Sequence, residues 1–446
     1  MSLRHHQGLL ALACASAFSA HAAPTDLKSQ IDTLVKQDEA QMIAQFKQLH
    51  RNPELAFQEK ETAAQVAKAL QEQGFEVKTA IGTTGVVGIL RNGPGPVVMY
   101  RADMDALPIK EATGLDYRSN KVTPWLDNPS QPVMHACGHD AHTTWLIEVA
   151  KVMAQLKGQW SGTLVLVAQP AEELLEGATA MVNNGLYDFA PKPDVLVAAH
   201  VSPVYPADSV GLREGPRLAG TDQIDVELPG IGGHGSTPHV TKDPVVMGAM
   251  AVMGYQTIIS RMLDQSKPAV LTVGAFQAGV NNNIIPVSAT LKLNLRWYDE
   301  KVRERLIAGI KSVTQGVLVM NDMPDDYQAK YTMKGYSTPV VNGKAQTELA
   351  QAALVHQLGA DKVLPGVPPL MGSEDFHMLA SPYPDTKVLF IEVGSGKPDA
   401  YKNLIEKKQL PPAMNHTPGF VVELPAIATG ARAVSATLSA FFNQPL

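Results

Sequence analysis

Val97-Val98-Met99-Tyr100-Arg101-Ala102-Asp103-Met104-Asp105 is the stretch that decides the fold. Its first four residues are apolar on both faces, the pattern of a strand covered on both sides in a parallel sheet. It runs directly into two aspartates. Residues 164–168, Leu-Val-Leu-Val-Ala, likewise run into Gln169-Pro170-Ala171-Glu172-Glu173, and the apolar run 195–199 ends in His200. Three buried strands thus deliver ionisable side chains at their carboxyl ends, the edge where open α/β sheets bind ligands. Chance would scatter such groups over both ends. The expectation is an α/β fold with its functional centre at that edge.

A second stretch supplies chemistry. Met134-His135-Ala136-Cys137-Gly138-His139-Asp140-Ala141-His142 packs a thiol, three imidazoles and a carboxylate into nine residues. A helix cap at Asp140 with histidines nearby is the plainer alternative. Cysteine sulfur and histidine nitrogen together suit a transition metal, zinc first.

Outward from these motifs, 446 residues imply two domains. Composition is globular, with 45% hydrophobic and 18% charged residues and a net charge of −6. With no basic stripe, nucleic acid is not an expected partner. Arg4, His5 and His6 precede an apolar run over 9–18 and then Ala20-His21-Ala22-Ala23-Pro24. That pattern predicts a secretory signal peptide over 1–23 and a secreted, periplasmic protein. Lipid attachment at Cys14 is disfavoured by Ala11 and the short apolar run. No other segment reaches the ~18 apolar residues of a membrane helix. Exported proteins usually place cysteines in disulfides. Here Cys137 would be the only thiol left after cleavage, and metal ligation would protect it.

Periodicity predicts helices over 27–50 and 59–73, strands over 75–79, 85–90 and 96–100, and a helix over 143–156. From about residue 220 the pattern changes. Strands at 223–228, 270–276, 289–297 and 328–334, with helices at 244–260 and 301–317, give the β-α-β-β-α-β order of a ferredoxin-like module. Signals of α/β type resume with a helix at 345–358 and a buried strand at 388–393. The expected organisation is a catalytic domain over 24–218 and 336–446, with an α+β domain inserted at 219–335.

Glu172 and Glu173 are adjacent. On an extended backbone their side chains would point to opposite sides, one toward metal and the other toward substrate. For Asp105, a turn former is as good an explanation as a functional group.

Together these motifs resemble the aminoacylase-type family of dinuclear metallopeptidases, in the branch of hippurate hydrolases and auxin-conjugate amidohydrolases. The resemblance covers residues 50–420. It rests on His50-Arg51-Asn52-Pro53-Glu54, residues 101–108, residues 134–142, Ala171-Glu172-Glu173, Gly232-Gly233-His234 and Met371-Gly372-Ser373-Glu374-Asp375-Phe376. It implies a zinc-peptidase-like α/β catalytic domain with an inserted dimerisation or lid domain, and a homodimer. It implies that Cys137, His139, Glu173, His200 and His416 ligate two divalent metal ions per subunit, with zinc, manganese, cobalt or nickel as candidates. Glu172 becomes the general base, and Asp103 a residue that orients a ligand. His234 would reach across the dimer to the oxyanion or substrate carboxylate, with Asn283 and Arg296 as further substrate contacts. The residues at 120–132, Ile231 and Leu293-Asn294 depart from the usual pattern beside the substrate, which leaves specificity open.

The expected activity is hydrolysis of the amide bond in N-acyl or aryl-acyl amino acids. A dipeptidase or carboxypeptidase with the same centre is the nearest alternative. A non-catalytic binding protein is a more distant one, since a binder has no need of the Glu172 base.

Overall fold

In the computed structural model, which describes residues 26–444, the three strands singled out above lie side by side. The expected signal peptide, Cys14 included, lies outside the described residues. The sheet has eight strands in the order Glu76–Ile81, Gly85–Asn92, Gly162–Gln169, Val97–Asp103, Val195–Pro206, Lys387–Gly396, Val210–Leu212 and Val363–Pro365. The four central strands run parallel. The first two are antiparallel additions, so the sheet is mixed.

Register explains why the ionisable groups converge. Asp103 pairs with Gln169, Arg101 with Ala198, and Glu392 with His200. Asp103, the Glu172–Glu173 segment and His200 therefore reach the same edge.

Both faces of the sheet are covered, which is why its strands read as continuous apolar runs. Leu164 and Leu166 face a helical layer formed by Leu27–Arg51, Lys60–Glu72, His139–Gln155, Lys344–Leu358 and Pro425–Asn443. Val165 and Val167 face the opposite side, under the short helices Gly177–Asn183 and Leu186–Phe189. All four are fully buried, each worth about 1.5–3 kcal/mol in transfer free energy.

A second, four-stranded antiparallel sheet has the order Ala269–Ala278, Ser288–Trp297, Gly220–Pro229, Lys330–Ser337. Helices Pro244–Thr257 and Glu300–Met320 pack on one face around a separate apolar core that includes Leu291, Leu293, Leu295 and Trp297. Asp243 and Asp299 cap the two helices by accepting from Val245 N and Lys301 N, the usual way to satisfy free N–H groups at a helix start. Numbered along the chain, these strands lie in the order 2-3-1-4, the ferredoxin-like arrangement.

Several expectations need correction. The helix expected at 143–156 begins four residues earlier, as His139–Gln155, so the histidine cluster occupies its first turn. The helix over Pro425–Asn443 was not expected at all. Residues 120–132 form a β-hairpin, Val122–Trp125 against Asn128–Pro132, with Trp125 resting on Leu55, Ala106 and Val133. No helix among the described residues is long and apolar enough to cross a membrane.

Candidate metal and catalytic centre

Gly138 starts the helix that carries the histidines. It adopts φ +90°, and a Cβ there would lie 2.4 Å from a Val201 methyl. Glycine alone fits such a position. The turn leaves Cys137 just outside the helix and His139 and His142 one turn apart on it.

Cys137 Sγ lies 3.4 Å from His200 Nε2 and 3.3 Å from His416 Nε2. His200 donates its Nδ1–H to the Val201 carbonyl at 2.7 Å, so its Nε2 lone pair faces the sulfur. His416 is held by a left-handed backbone, φ 65°, and by its N–H to the Ala136 carbonyl. Glu173 Oε1 lies 3.4 Å from His416 Nε2 and 3.9 Å from His139 Nε2. Ligating atoms of Cys137, His139 and Glu173 all fall within 4.8 Å of one another. Five residues from four segments of the chain thus converge on one point.

Whether the cluster suits a metal is answered by its unsatisfied atoms. His139 Nε2 is buried without a hydrogen-bond partner, and neither the 3.3 Å approach of Asp105 to His139 Nδ1 nor the 3.4 Å approach of His416 to Glu173 Oε1 has hydrogen-bond geometry. Such buried groups normally find a partner. Burial, then Glu173, Glu172 and Asp103, push the Cys137 thiol well up, so a thiolate there needs a cation beside it. Burial disfavours charge on His139, yet Asp103, Asp105 and Glu173 outweigh it and raise the imidazole to about 10. Burial likewise opposes ionisation of Glu173, but His416 and His139 hold it down. Soft sulfur, imidazole and carboxylate around unpartnered atoms fit a divalent transition metal.

His142 belongs to the same cluster but has no free nitrogen. Its Nδ1 faces Asp103 Oδ1 at 2.5 Å, and its Nε2 accepts the Val201 N–H at 2.9 Å. The Val201 donor fixes the tautomer, with the proton on Nδ1. His142 packs on His200 at 4.4 Å between ring centroids. Asp103 therefore acts through His142, while its other oxygen lies 3.6 Å from His139 Nε2.

Glu172 and Glu173 are not on an extended backbone. They sit on a 3₁₀ turn that follows Ala171, which has φ 50°. The two carboxylates separate because of that turn, not because of strand alternation. Asp105 is more than a turn former: it accepts Glu172 N at 3.1 Å and Glu173 N at 3.0 Å. It also lies 3.3 Å from His139 Nδ1.

Behind Glu172 stands a buried network absent from the sequence-based site. Arg101 donates to Asp103 at 2.7 Å, to Glu374 at 2.8 and 3.1 Å, and to Gln169 at 2.8 Å. Gln169 in turn donates to Asp375 at 2.6 Å. Burial, then Glu374, Glu173 and Asp375, push Glu172 well above the usual carboxylate range, against the pull of Arg101. A raised proton affinity suits a group that must accept a proton. The sequence signal for this network is a guanidinium inside an otherwise apolar strand. A further pair anchors the histidine helix: His50 Nδ1 contacts Asp140 Oδ2 at 2.6 Å and its Nε2 contacts Glu111 at 3.3 Å.

Arg296 lies on the face of the second sheet opposite its helices. It is half-buried rather than an exposed strand residue, and its Nη1 is buried without a partner. Burial lowers its basicity while Glu172 raises it, which brings this arm within electrostatic reach of the centre. His234 and Asn283 are exposed and adjacent to each other: Gly235 N donates to the Asn283 carbonyl, and His234 pairs with Ile284. The fold of one chain does not bring them into the Cys137 cluster. His234 Nδ1 accepts the Ser236 N–H at 3.1 Å, which leaves Nε2 as its N–H.

The chain is similar to known proteins. A family model described as peptidase family M20/M25/M40 matches residues 99–417. A hippurate hydrolase of Campylobacter jejuni is 38% identical over 330 residues, covering 74% of this chain and 82% of that protein. An IAA-amino acid hydrolase of Arabidopsis thaliana is 32% identical over 91% of this chain and 87% of its own length. The crystal structure of a Bacillus subtilis protein, described as a dinuclear metal-binding peptidase, superposes with a TM-score of 0.72 at 25% identity over 92% of this chain and all of that one. The matched region runs from the strand that carries Asp103 to the loop that carries His416, and the chain is a metal-binding hydrolase of peptidase family M20/M25/M40.

Proposed function

We propose that this protein hydrolyses N-acyl and aryl-acyl amino acids, with Cys137, His139, Glu173, His200 and His416 holding two divalent ions. The observation that carries the reading is a Cys-His-Glu cluster whose His139 and Glu173 atoms lack hydrogen-bond partners, with a second buried carboxylate, Glu172, 3.9 Å from His139. When bound, such ions supply the positive charge that acidifies water and polarises an amide carbonyl.

This chain's own residues do the rest. Glu172 accepts the proton of the attacking water and delivers it to the departing amine. Asp103 holds His142 and lies against His139, and Arg101 in turn holds Asp103 and Glu374. The free arm of Arg296 meets the substrate carboxylate. His234 comes from a second copy of the chain, where its Nε2–H points at the carbonyl oxygen as charge develops there, with Asn283 beside it. The protein is accordingly a homodimer joined through the second sheet, and residues 1–23 direct it to the periplasm. Zinc is the preferred ion on softness, with manganese, cobalt and nickel as alternatives.

Metal analysis of the purified protein, with turnover of N-acetyl, N-benzoyl and dipeptide substrates, tests the reading. Cleavage of acyl amino acids in preference to dipeptides is expected. Preference for free dipeptides would instead support the peptidase alternative. Metal without turnover of any of them would leave only a binding protein.

A further inference from the structure

Three successive backbone N–H groups, those of Ala171, Glu172 and Glu173, are each held by a carboxylate from elsewhere in the chain. Asp105 takes the last two, as described above. The first goes to Glu59, whose Oε1 accepts Ala171 N at 2.9 Å. The other Glu59 oxygen accepts the Thr84 hydroxyl at 2.5 Å. Glu59 lies 112 residues before Ala171, has no exposed surface and touches none of the proposed metal ligands in these contacts.

The grip matters because of what Ala171 does. It carries φ 50° with a Cβ, a conformation that costs an L-residue about 1–2 kcal/mol. Such a residue persists only where its surroundings over-determine it. Relaxation of Ala171 to the extended region would rotate the whole turn that follows. That turn bears both the proposed base, Glu172, and the proposed ligand, Glu173. No hydrogen bond holds the Glu172 carboxylate itself among the described residues, so its aim is set by the backbone beneath it. Asp105 fixes the distal end of the turn and Glu59 the proximal end. A single anchor would still permit pivoting, whereas two define the direction.

We propose that Glu59 is a positioning residue for the reaction: its carboxylate, oriented by Thr84, holds Ala171 in the left-handed conformation that aims Glu172 and Glu173 at the metal centre. The proposal rests on the assignment of those two glutamates made under Proposed function. It predicts a division between two substitutions. Glu59→Gln keeps an oxygen for Ala171 N, and the Thr84 hydroxyl can rotate to accept from the new amide. Glu59→Ala removes the acceptor entirely.

The test compares Glu59→Ala, Glu59→Gln and Thr84→Val with wild type by steady-state kinetics, zinc affinity from chelator competition, and amide hydrogen exchange. Loss of an outer partner typically costs 10–100-fold in activity or metal affinity. We expect Glu59→Ala to lose kcat and zinc affinity on that scale, with KM within about twofold. Exchange should accelerate in residues 170–177 and not across the sheet. Glu59→Gln should recover kcat to within about threefold of wild type, and Thr84→Val should fall between the two. The proposal is overturned if Glu59→Ala keeps its kcat and its exchange pattern. It is also overturned if the Gln and Ala variants lose activity equally with exchange raised throughout, since that is a packing defect. If wild type cleaves no acyl amino acid, the functional assignment fails; exchange and zinc affinity then still decide whether Glu59 holds the turn.

Discussion

His50 offers a measurable link between pH and the first turn of the histidine helix. It sits between Asp140 Oδ2 at 2.6 Å and Glu111 Oε1 at 3.3 Å, almost wholly out of water. Burial alone would depress the imidazole. The hydrogen bonds and charges of Asp140 and Glu111 outweigh it and raise the pKa from 6.5 to about 9. Against burial, both carboxylates are lowered, Asp140 by His135 and then His50, and Glu111 by His50 and then Thr113; the His50 share reports the same contacts, so it is not added. A group with a raised folded-state pKa stabilises fully below its unfolded value and loses that contribution as pH rises through the folded one. The window is therefore about pH 6.5 to 9. Two and a half pKa units correspond to about 3 kcal/mol.

The perturbation is His50→Gln, which can still hydrogen-bond but never carries charge. At about pH 6 it leaves two buried carboxylates without their cation, a loss on the order of 3–5 kcal/mol. At about pH 9.5 wild-type His50 is itself mostly neutral, and the gap between the two proteins should narrow by about 3 kcal/mol. Urea unfolding of the chelator-treated proteins, followed by tryptophan fluorescence at both pH values, reads this directly. A gap that stays constant with pH, or widens toward alkaline pH, would show that His50 carries no proton in the folded state.

Other outcomes follow from the centre. Glu172→Gln is expected to abolish turnover with metal content unchanged, because the amide keeps its shape but cannot accept a proton; metal loss on plasma emission analysis would make Glu172 a ligand instead. Cys137→Ser should lower metal occupancy and activity together, since a hydroxyl is a far weaker anionic ligand than a thiolate, and a fully metallated, active variant would refute the ligand role. His234→Ala should lose about 10²–10³ in kcat, the usual cost of one oxyanion donor. Mixing it with Glu172→Gln protein under subunit exchange should restore activity, because a mixed dimer contains one site with both residues. Demonstrated exchange without recovery would exclude the arrangement in trans. Exhaustive treatment with a strong chelator should remove activity, and added zinc should return it; activity that survives the treatment counts against a metal-dependent reaction.

The sheet edge was legible because apolar runs that end in Asp, Glu and His obey a rule about strand polarity. The ferredoxin-like order of the second sheet was legible for a similar reason, its periods of 2 and 3.6 being well separated by turns. The terminal helix was not. Residues 425–443 are rich in alanine, serine and threonine and are buried almost all round, so they offer little contrast between faces. The start of the histidine helix was obscured because its first turn is polar yet fully buried. The roles of Arg101, Glu374, Asp375 and Glu59 depend on contacts between residues far apart, up to 274 positions for Arg101 and Asp375. Local patterns cannot carry that information. For Glu172 and Glu173 the assumed extended geometry was wrong. Their division of labour comes from the left-handed Ala171, a conformation that alanine does not advertise.

The place of the strand Lys387–Gly396 has a consequence for the order in which this molecule can be made. Of the eight strands it is the last along the chain, yet it lies between Val195–Pro206 and Val210–Leu212 in the interior of the sheet. A nascent chain that stops short of it has a sheet split in two, with unpaired strand edges open to other chains. Contacts over such sequence separations form slowly. His416 arrives later still, and the helix Pro425–Asn443 packs against Leu27–Arg51. Until residue 416 has been made, the chain lacks one of the proposed ligands of its centre. The sheet that carries the centre can close only once Lys387–Gly396 is laid between two strands made long before it.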